Sequence, residues 1–110
     1  MKMNNVHSYN FAKVGIINID VIFEQLKNIF MKEFKIPLKK IQKKSNLSDD
    51  LGFCSRMFIE FLCAVEEQFD FVLSLDDESY YNEQVDTVGN AILFVYYMQF
   101  KHKYTKAITI

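Results

Sequence analysis

Ser55 stands in the stretch Asp49-Asp50-Leu51-Gly52-Phe53-Cys54-Ser55-Arg56-Met57, immediately before an apolar run that reads as a helix. A serine at a helix start holds its hydroxyl beside backbone N–H groups that lack partners inside the helix, a setting that accommodates phosphate. The chemistry open to it is attachment of a phosphate-linked group. The ordinary alternative is a serine that caps the helix. Cys54, its neighbour, would be a nucleophile if His7 or His102 acted as its base. Those histidines lie toward opposite ends of the chain, and nothing in the sequence fixes either beside the thiol. The spacing of the two histidines and two cysteines matches no zinc motif. Cys54 and Cys63 on one helix would be roughly 13 Å apart at 1.5 Å per residue. A disulfide needs Cα atoms within about 7 Å, so both read as free thiols.

The elements that position Ser55 follow from periodicity. Ile19, Ile22, Phe23, Leu26, Ile29, Phe30 and Phe34 recur at helical spacing, with Asn18 or Asp20 as N-cap. Pro37 ends that helix by Lys35 or Ile36, because the residue before a proline disfavours helical geometry. Residues 36–53 then form a long connection pinned by Leu38, Ile41 and Leu47, with turn chemistry at Ser45-Asn46 and Asp49-Asp50. The second strong helix spans Ser55 to Phe69 and carries two stripes. Phe58, Phe61, Leu62, Val65 and Phe69 read as core; Arg56, Ile59, Glu60, Cys63 and Glu67 read as an outward face. Phe71 to Leu75 alone would pass for a short strand, but the acids that follow point to a short helix. Asp86 or Thr87 caps a last helix through Ala91, Ile92, Val95, Tyr96 and Tyr97.

At 110 residues the chain has the size of one domain, with ordinary globular composition. One proline and three glycines among long periodic runs favour an all-α fold: a small bundle of three main helices, a short helix before the last one, and a long first loop. The expected organisation is an N-terminal extension over 1–17, the bundle over 18–104 and a C-terminal tail over 105–110. Charges are segregated. Lys35, Lys39, Lys40, Lys43 and Lys44 cluster, whereas between Asp49 and Asp86 the sole cation is Arg56 among eleven acids. That acidic block would oppose phosphate backbones, so nucleic acid is not expected as a partner. It would steer basic proteins instead. The apolar run Ala91 to Met98 is shorter than the ~20 residues that span a bilayer, and residues 14–21 make a poor signal peptide. No membrane association and a cytoplasmic location are therefore expected.

This layout resembles that of acyl carrier proteins over roughly Asp20 to Met98. Asp49-Asp50-Leu51-Gly52 is similar to the family's acidic-Asp-Leu-Gly approach to its modified serine. Phe61-Leu62-Cys63-Ala64-Val65-Glu66-Glu67-Gln68-Phe69-Asp70 resembles its Leu-Val-x-Ala-Leu-Glu-Glu-x-Phe-Asp, and Asp86-Thr87-Val88 its Thr-Val approach to the last helix. The resemblance implies that Ser55 accepts 4'-phosphopantetheine from coenzyme A through a separate phosphopantetheinyl transferase. It implies a non-catalytic carrier of acyl groups as thioesters, presented to enzymes such as a ketosynthase or acyltransferase of fatty-acid or polyketide-type biosynthesis. Those partners would dock on Arg56, Ile59, Glu60, Cys63 and Glu67, and space under Phe58 and Leu62 would shelter the cargo. Cys54 stands where the family has Asp, and Arg56 where it has Leu. These departures fit a specialised carrier, or alternatively a degenerate, unmodified relative that serves as a docking module.

Overall fold

The computed structural model describes residues 18–109, and the side chains of 18–102. Four α-helices follow in order: α1 Ile19–Phe34, α2 Ser55–Phe69, α3 Leu75–Gln84 and α4 Val88–Thr109, with a 3-10 turn at Leu38–Lys40. No strand occurs among the described residues; an isolated antiparallel bridge joins Asn46 to Thr87. The all-helical bundle expected from sequence is the fold observed. The expected extension over 1–17, with His7, lies outside the described residues, as does Ile110 of the expected tail.

Asn18 opens α1. Its side-chain oxygen accepts from the N–H groups of Asp20 and Val21, which supplies partners for two donors the helix cannot satisfy. The face carrying Ile22, Leu26, Ile29 and Phe30 is buried, against α4 and α2. The helix ends at Lys35, held in the left-handed region at φ 59°, and the Lys35 and Ile36 N–H groups both donate to the Phe30 carbonyl.

The long connection is tied down at its apolar residues and by its backbone. Ile41, Leu47, Leu51 and Phe53 are buried, whereas Leu38, expected as an anchor, is half exposed to solvent at 53%. Ile36 and Ile41 occupy the inward positions on either side of the turn, and this leaves Leu38, Lys39 and Lys40 outward. Farther on, the loop completes the start of α4. The Val88 N–H donates to the Ser45 carbonyl at 3.0 Å and the Gly89 N–H to the Lys43 carbonyl at 2.7 Å. Leu47 donates to the Asp86 carbonyl at 2.9 Å. Thr87, one of the two caps expected, accepts from the Asn90 N–H through its hydroxyl. Orphan donors of α4 thus find partners in the loop, which fixes the loop on the bundle.

Past α2, Asp70 adopts φ 58° and its N–H returns to the Glu66 carbonyl. Phe71 and Leu73 are buried and Val72 exposed, the alternation of an extended segment, but no neighbouring strand pairs with it. A Ser74–Asp77 capping box then starts α3.

Aromatic rings fill the centre. Phe30 and Phe61 stack at 4.9 Å between centroids, and Phe53 meets Phe30, Phe34, Phe58 and Phe61 at 5.1–5.9 Å. Tyr81 of α3 joins this cluster to α4 through Phe94 at 5.3 Å. Truncating a buried ring such as Phe61 to alanine would cost about 3–5 kcal/mol, because the cavity left behind collapses only in part. Not every aromatic is core: Tyr80, Tyr96 and Tyr97 are exposed, while Phe94 and Met98 fill the inward side of α4.

Candidate functional site

The approach to Ser55 is wound around Asn46. The Asn46 side-chain oxygen accepts from the N–H groups of Ser48 and Asp49, and its backbone carbonyl from those of Asp50 and Leu51. Asp50 closes the turn by accepting the Asn46 N–H at 2.7 Å. Gly52 then takes φ 76°, a conformation that side-chain-bearing residues adopt only with strain, and Phe53 turns inward with its N–H on the Leu47 carbonyl. A rigid, hydrogen-bonded turn therefore delivers the chain to α2 over a buried phenylalanine.

Cys54 occupies the N-cap position in extended geometry (φ −103°, ψ 173°) without a side-chain cap bond, and Ser55 is the first helical residue. The capping alternative for Ser55 is excluded by this register. Its side chain is exposed and makes no hydrogen bond among the described residues. The Cys54 carbonyl accepts from Met57 at 2.9 Å and Phe58 at 3.2 Å, which winds the first turn tightly. No acid lies in that turn. An anion on the Ser55 oxygen would sit at the positive end of the helix dipole, with the Arg56 cation next in sequence. The residues present fit a phosphate-linked group.

Arg56, Ile59, Glu60, Cys63 and Glu67 are all exposed along one side of α2, as their spacing implies. Arg56 Nε donates to Glu60 at 3.2 Å, an exposed pair one turn apart. Beside this face lies a groove of about 410 Å³ between α1 and α2, where Glu33 and Ile29 of α1 meet Glu60, Cys63, Ala64, Glu67 and Gln68. Glu33 was not singled out by sequence, since it lies 27 positions before Glu60 and only the packing of α1 on α2 brings them together.

The other candidate chemistries do not assemble. Both cysteines are free and exposed. His102 stacks on Phe71, beyond the far end of α2, at 5.5 Å between ring centroids. Cys54 is the N-cap of that helix, whose fifteen residues span about 22 Å. His7 lies outside the described residues. No cluster of potential metal ligands occurs among the described residues. No helix among them is long and apolar enough to cross a membrane.

Two further contacts hold the site's supports. Tyr81 donates its hydroxyl to the Phe58 backbone carbonyl at 2.8 Å, joining α3 to the first turns of α2. Burial drives the Tyr81 phenol well above the ordinary tyrosine range. Asp77 is buried in α3; burial alone would raise its pKa, but the bonds from Lys101 and Ser74 outweigh it and hold the carboxyl below the usual value. Neither contact was legible in sequence, because Tyr81 lies 23 positions from Phe58 and Asp77 lies 24 from Lys101.

Comparison with known proteins agrees with this geometry. Residues 24–79 match the family described as phosphopantetheine attachment site, a region that includes α2 and the turn before it. The acyl carrier protein of Clostridium acetobutylicum is 32% identical over 75 residues, covering 68% of this chain and 92% of the relative. That of a Sulfurovum species is 30% identical over 74 residues, covering 67% and 93%. That of Caulobacter vibrioides is 32% identical over 74 residues, covering 67% and 90%. With the helical order, the serine-bearing α2 and the matched region in agreement, the chain belongs to the phosphopantetheine-binding acyl carrier protein family.

Proposed function

We propose that Ser55 is the attachment point for 4'-phosphopantetheine and that the chain is a non-catalytic carrier of acyl groups. The observation that carries this reading is the Ser55 hydroxyl itself: exposed, without a hydrogen bond among the described residues, and set at the first position of α2 after a rigid turn. In the transfer, the Ser55 oxygen attacks the phosphorus nearer the pantetheine of coenzyme A. The phosphoanhydride breaks, adenosine 3',5'-bisphosphate leaves, and the serine proton passes to a base of the phosphopantetheinyl transferase. When bound, the arm supplies a thiol that holds an acyl group as a thioester. This chain contributes an anchored serine, a helix dipole favourable to the phosphodiester, and a surface for partner enzymes.

The partners proposed are the transferase and acyl-processing enzymes such as a ketosynthase or acyltransferase in fatty-acid or polyketide-type biosynthesis. Support for docking on α2 comes from the shared exposure of Arg56, Ile59, Glu60, Cys63 and Glu67. Ile59, 66% exposed, supplies an apolar centre flanked by charge, the composition of a partner-facing patch.

Incubation with coenzyme A and a permissive transferase tests the attachment. The intact mass should rise by one phosphopantetheine, and Ser55→Ala should abolish the gain. A second reading, a degenerate docking module, draws on Cys54 and Arg56 at positions where the family has Asp and Leu. If the native chain stays unmodified but Cys54→Asp with Arg56→Leu becomes modified, that reading holds.

A further inference from the structure

One turn below Ser55, α2 meets α3 at Phe58 and Tyr81, a seam within reach of a group tethered at the serine. That seam is shut. The Phe58 ring meets Phe53 at 5.2 Å and Tyr81 at 6.5 Å, both edge-on, and the Tyr81 hydroxyl is bonded to the Phe58 carbonyl at 2.8 Å. Behind it, Phe53, Phe61 and Phe30 contact one another at 4.9–5.9 Å between centroids. Tyr81 is 2% exposed and Phe30 fully buried.

Parting the seam separates edge-on ring pairs that contribute beyond their buried area. It also strands a buried phenol without an acceptor. The space expected under Phe58 and Leu62 is therefore closed by packed aromatic rings and a cross-helix hydrogen bond.

We propose that the Phe58–Tyr81 seam keeps tethered acyl groups outside the bundle, so that this carrier presents short or polar cargo and does not enclose long aliphatic chains. Phe58 and Tyr81 set that limit by position, and the proposal rests on attachment at Ser55. Long chains then stay in solvent or on a partner's surface, and short or polar groups lose nothing by remaining exposed.

The test loads the full chain with acetyl- and octanoyl-phosphopantetheine from the corresponding coenzyme A thioesters. Intact mass verifies loading before anything else is measured. Cleavage of each thioester by hydroxylamine is then timed, and the unfolding midpoint of each form is recorded. Equal cleavage rates and equal midpoints for the two wild-type forms are expected. Phe58→Leu and Tyr81→Phe, which retain most of the side-chain volume, should slow octanoyl cleavage by about fivefold, the effect of a modest gain in burial, and leave acetyl unchanged. Octanoyl cleaved about fivefold slower than acetyl in the wild type overturns the proposal. So do seam variants that are folded, by circular dichroism, but give no octanoyl protection. Failure to load removes the attachment reading and the proposal with it, and appears in the mass spectrum before any rate is taken.

Discussion

Lys101, in the second half of α4, donates a 2.7 Å hydrogen bond to one carboxylate oxygen of Asp77, while the other oxygen accepts the Ser74 N–H at 3.0 Å. One buried side chain thereby caps α3 and fastens it to α4, and α3 in turn holds the start of α2 through Tyr81.

The first prediction concerns this junction. Asp77→Ala should destabilise the fold by about 1–3 kcal/mol, through loss of a cap and of a buried charged hydrogen bond. Asp77→Asn should cost less, since its amide oxygen can still accept from Ser74. The pH dependence follows from the shifts. The Asp77 pKa is depressed, so its contribution is present above the ordinary aspartate range and is lost as pH falls through the folded value. The Lys101 pKa is raised, chiefly by the hydrogen bond to Asp77, so its contribution is present below the ordinary lysine range and lost as pH rises through the raised value. Urea unfolding at neutral pH and in acid checks the Asp77 limb, and in alkali the Lys101 limb. The gap between wild type and Asp77→Asn should narrow in acid; a constant gap would show that the charge of Asp77 is immaterial.

The helix ends supply a second prediction. Lys35 and Asp70 hold φ near 60°, a region that costs residues with a Cβ about 1–2 kcal/mol. Glycine relieves that strain but gives back part of the gain as unfolded-state entropy. Lys35→Gly and Asp70→Gly should each stabilise by about 0.5–1 kcal/mol. Thermal unfolding should show a rise of a few degrees for each and a near-additive double variant, as the sites close different helices. A fall in midpoint would mean that the side chains contribute more than the backbone strain removes.

Gly52 provides the converse case. A Cβ built there meets nothing within 4 Å, so any cost of substitution comes from the backbone alone at φ 76°. Gly52→Ala should destabilise by about 1–2 kcal/mol, and Gly52→Asn by distinctly less, because asparagine tolerates this region. The turn sets the register of Ser55, so a permissive transferase should also modify Gly52→Ala more slowly. Equal stability for alanine and asparagine would point to a steric cause.

How much of this was legible in sequence depends on whether a residue's partner is local. The bounds of α1 and α2 were read closely, because each has a long apolar period, and Pro37 stops α1. The exposed side of α2 followed from the same period. What stayed hidden depends on contacts across the chain. Ser45 and Lys43 complete α4 through their carbonyls, which every residue possesses, so no side-chain type signals it. Leu38 looked like an anchor because its type is apolar, but the loop needed only Ile36 and Ile41 inward on either side of the turn. Asp77 read as surface along with the other acids of its run, and only the packing of α3 over α2 and α4 buries it.

The final prediction addresses the outward side of α2. Glu60 and Glu67 are exposed and line the groove shared with Glu33, where acids outnumber basic residues. Their reversal to lysine should change stability little, since exposed substitutions usually fall within about 0.5 kcal/mol. The bond between Arg56 and Glu60 does not alter this expectation, because both groups are solvated and such pairs contribute little. Association is another matter. A partner with a basic patch is drawn toward this face over distances comparable to the screening length, so charge reversal should slow encounter and flatten its dependence on salt. Glu33→Lys should act in the same direction if the groove, and not α2 alone, is the surface engaged. Stopped-flow association with the cognate transferase at two salt concentrations, beside thermal unfolding of each variant, separates the outcomes. Loss of fold would assign these glutamates a structural role. Unchanged kinetics in a folded Glu60→Lys, Glu67→Lys double variant would move the docking surface off this side of α2.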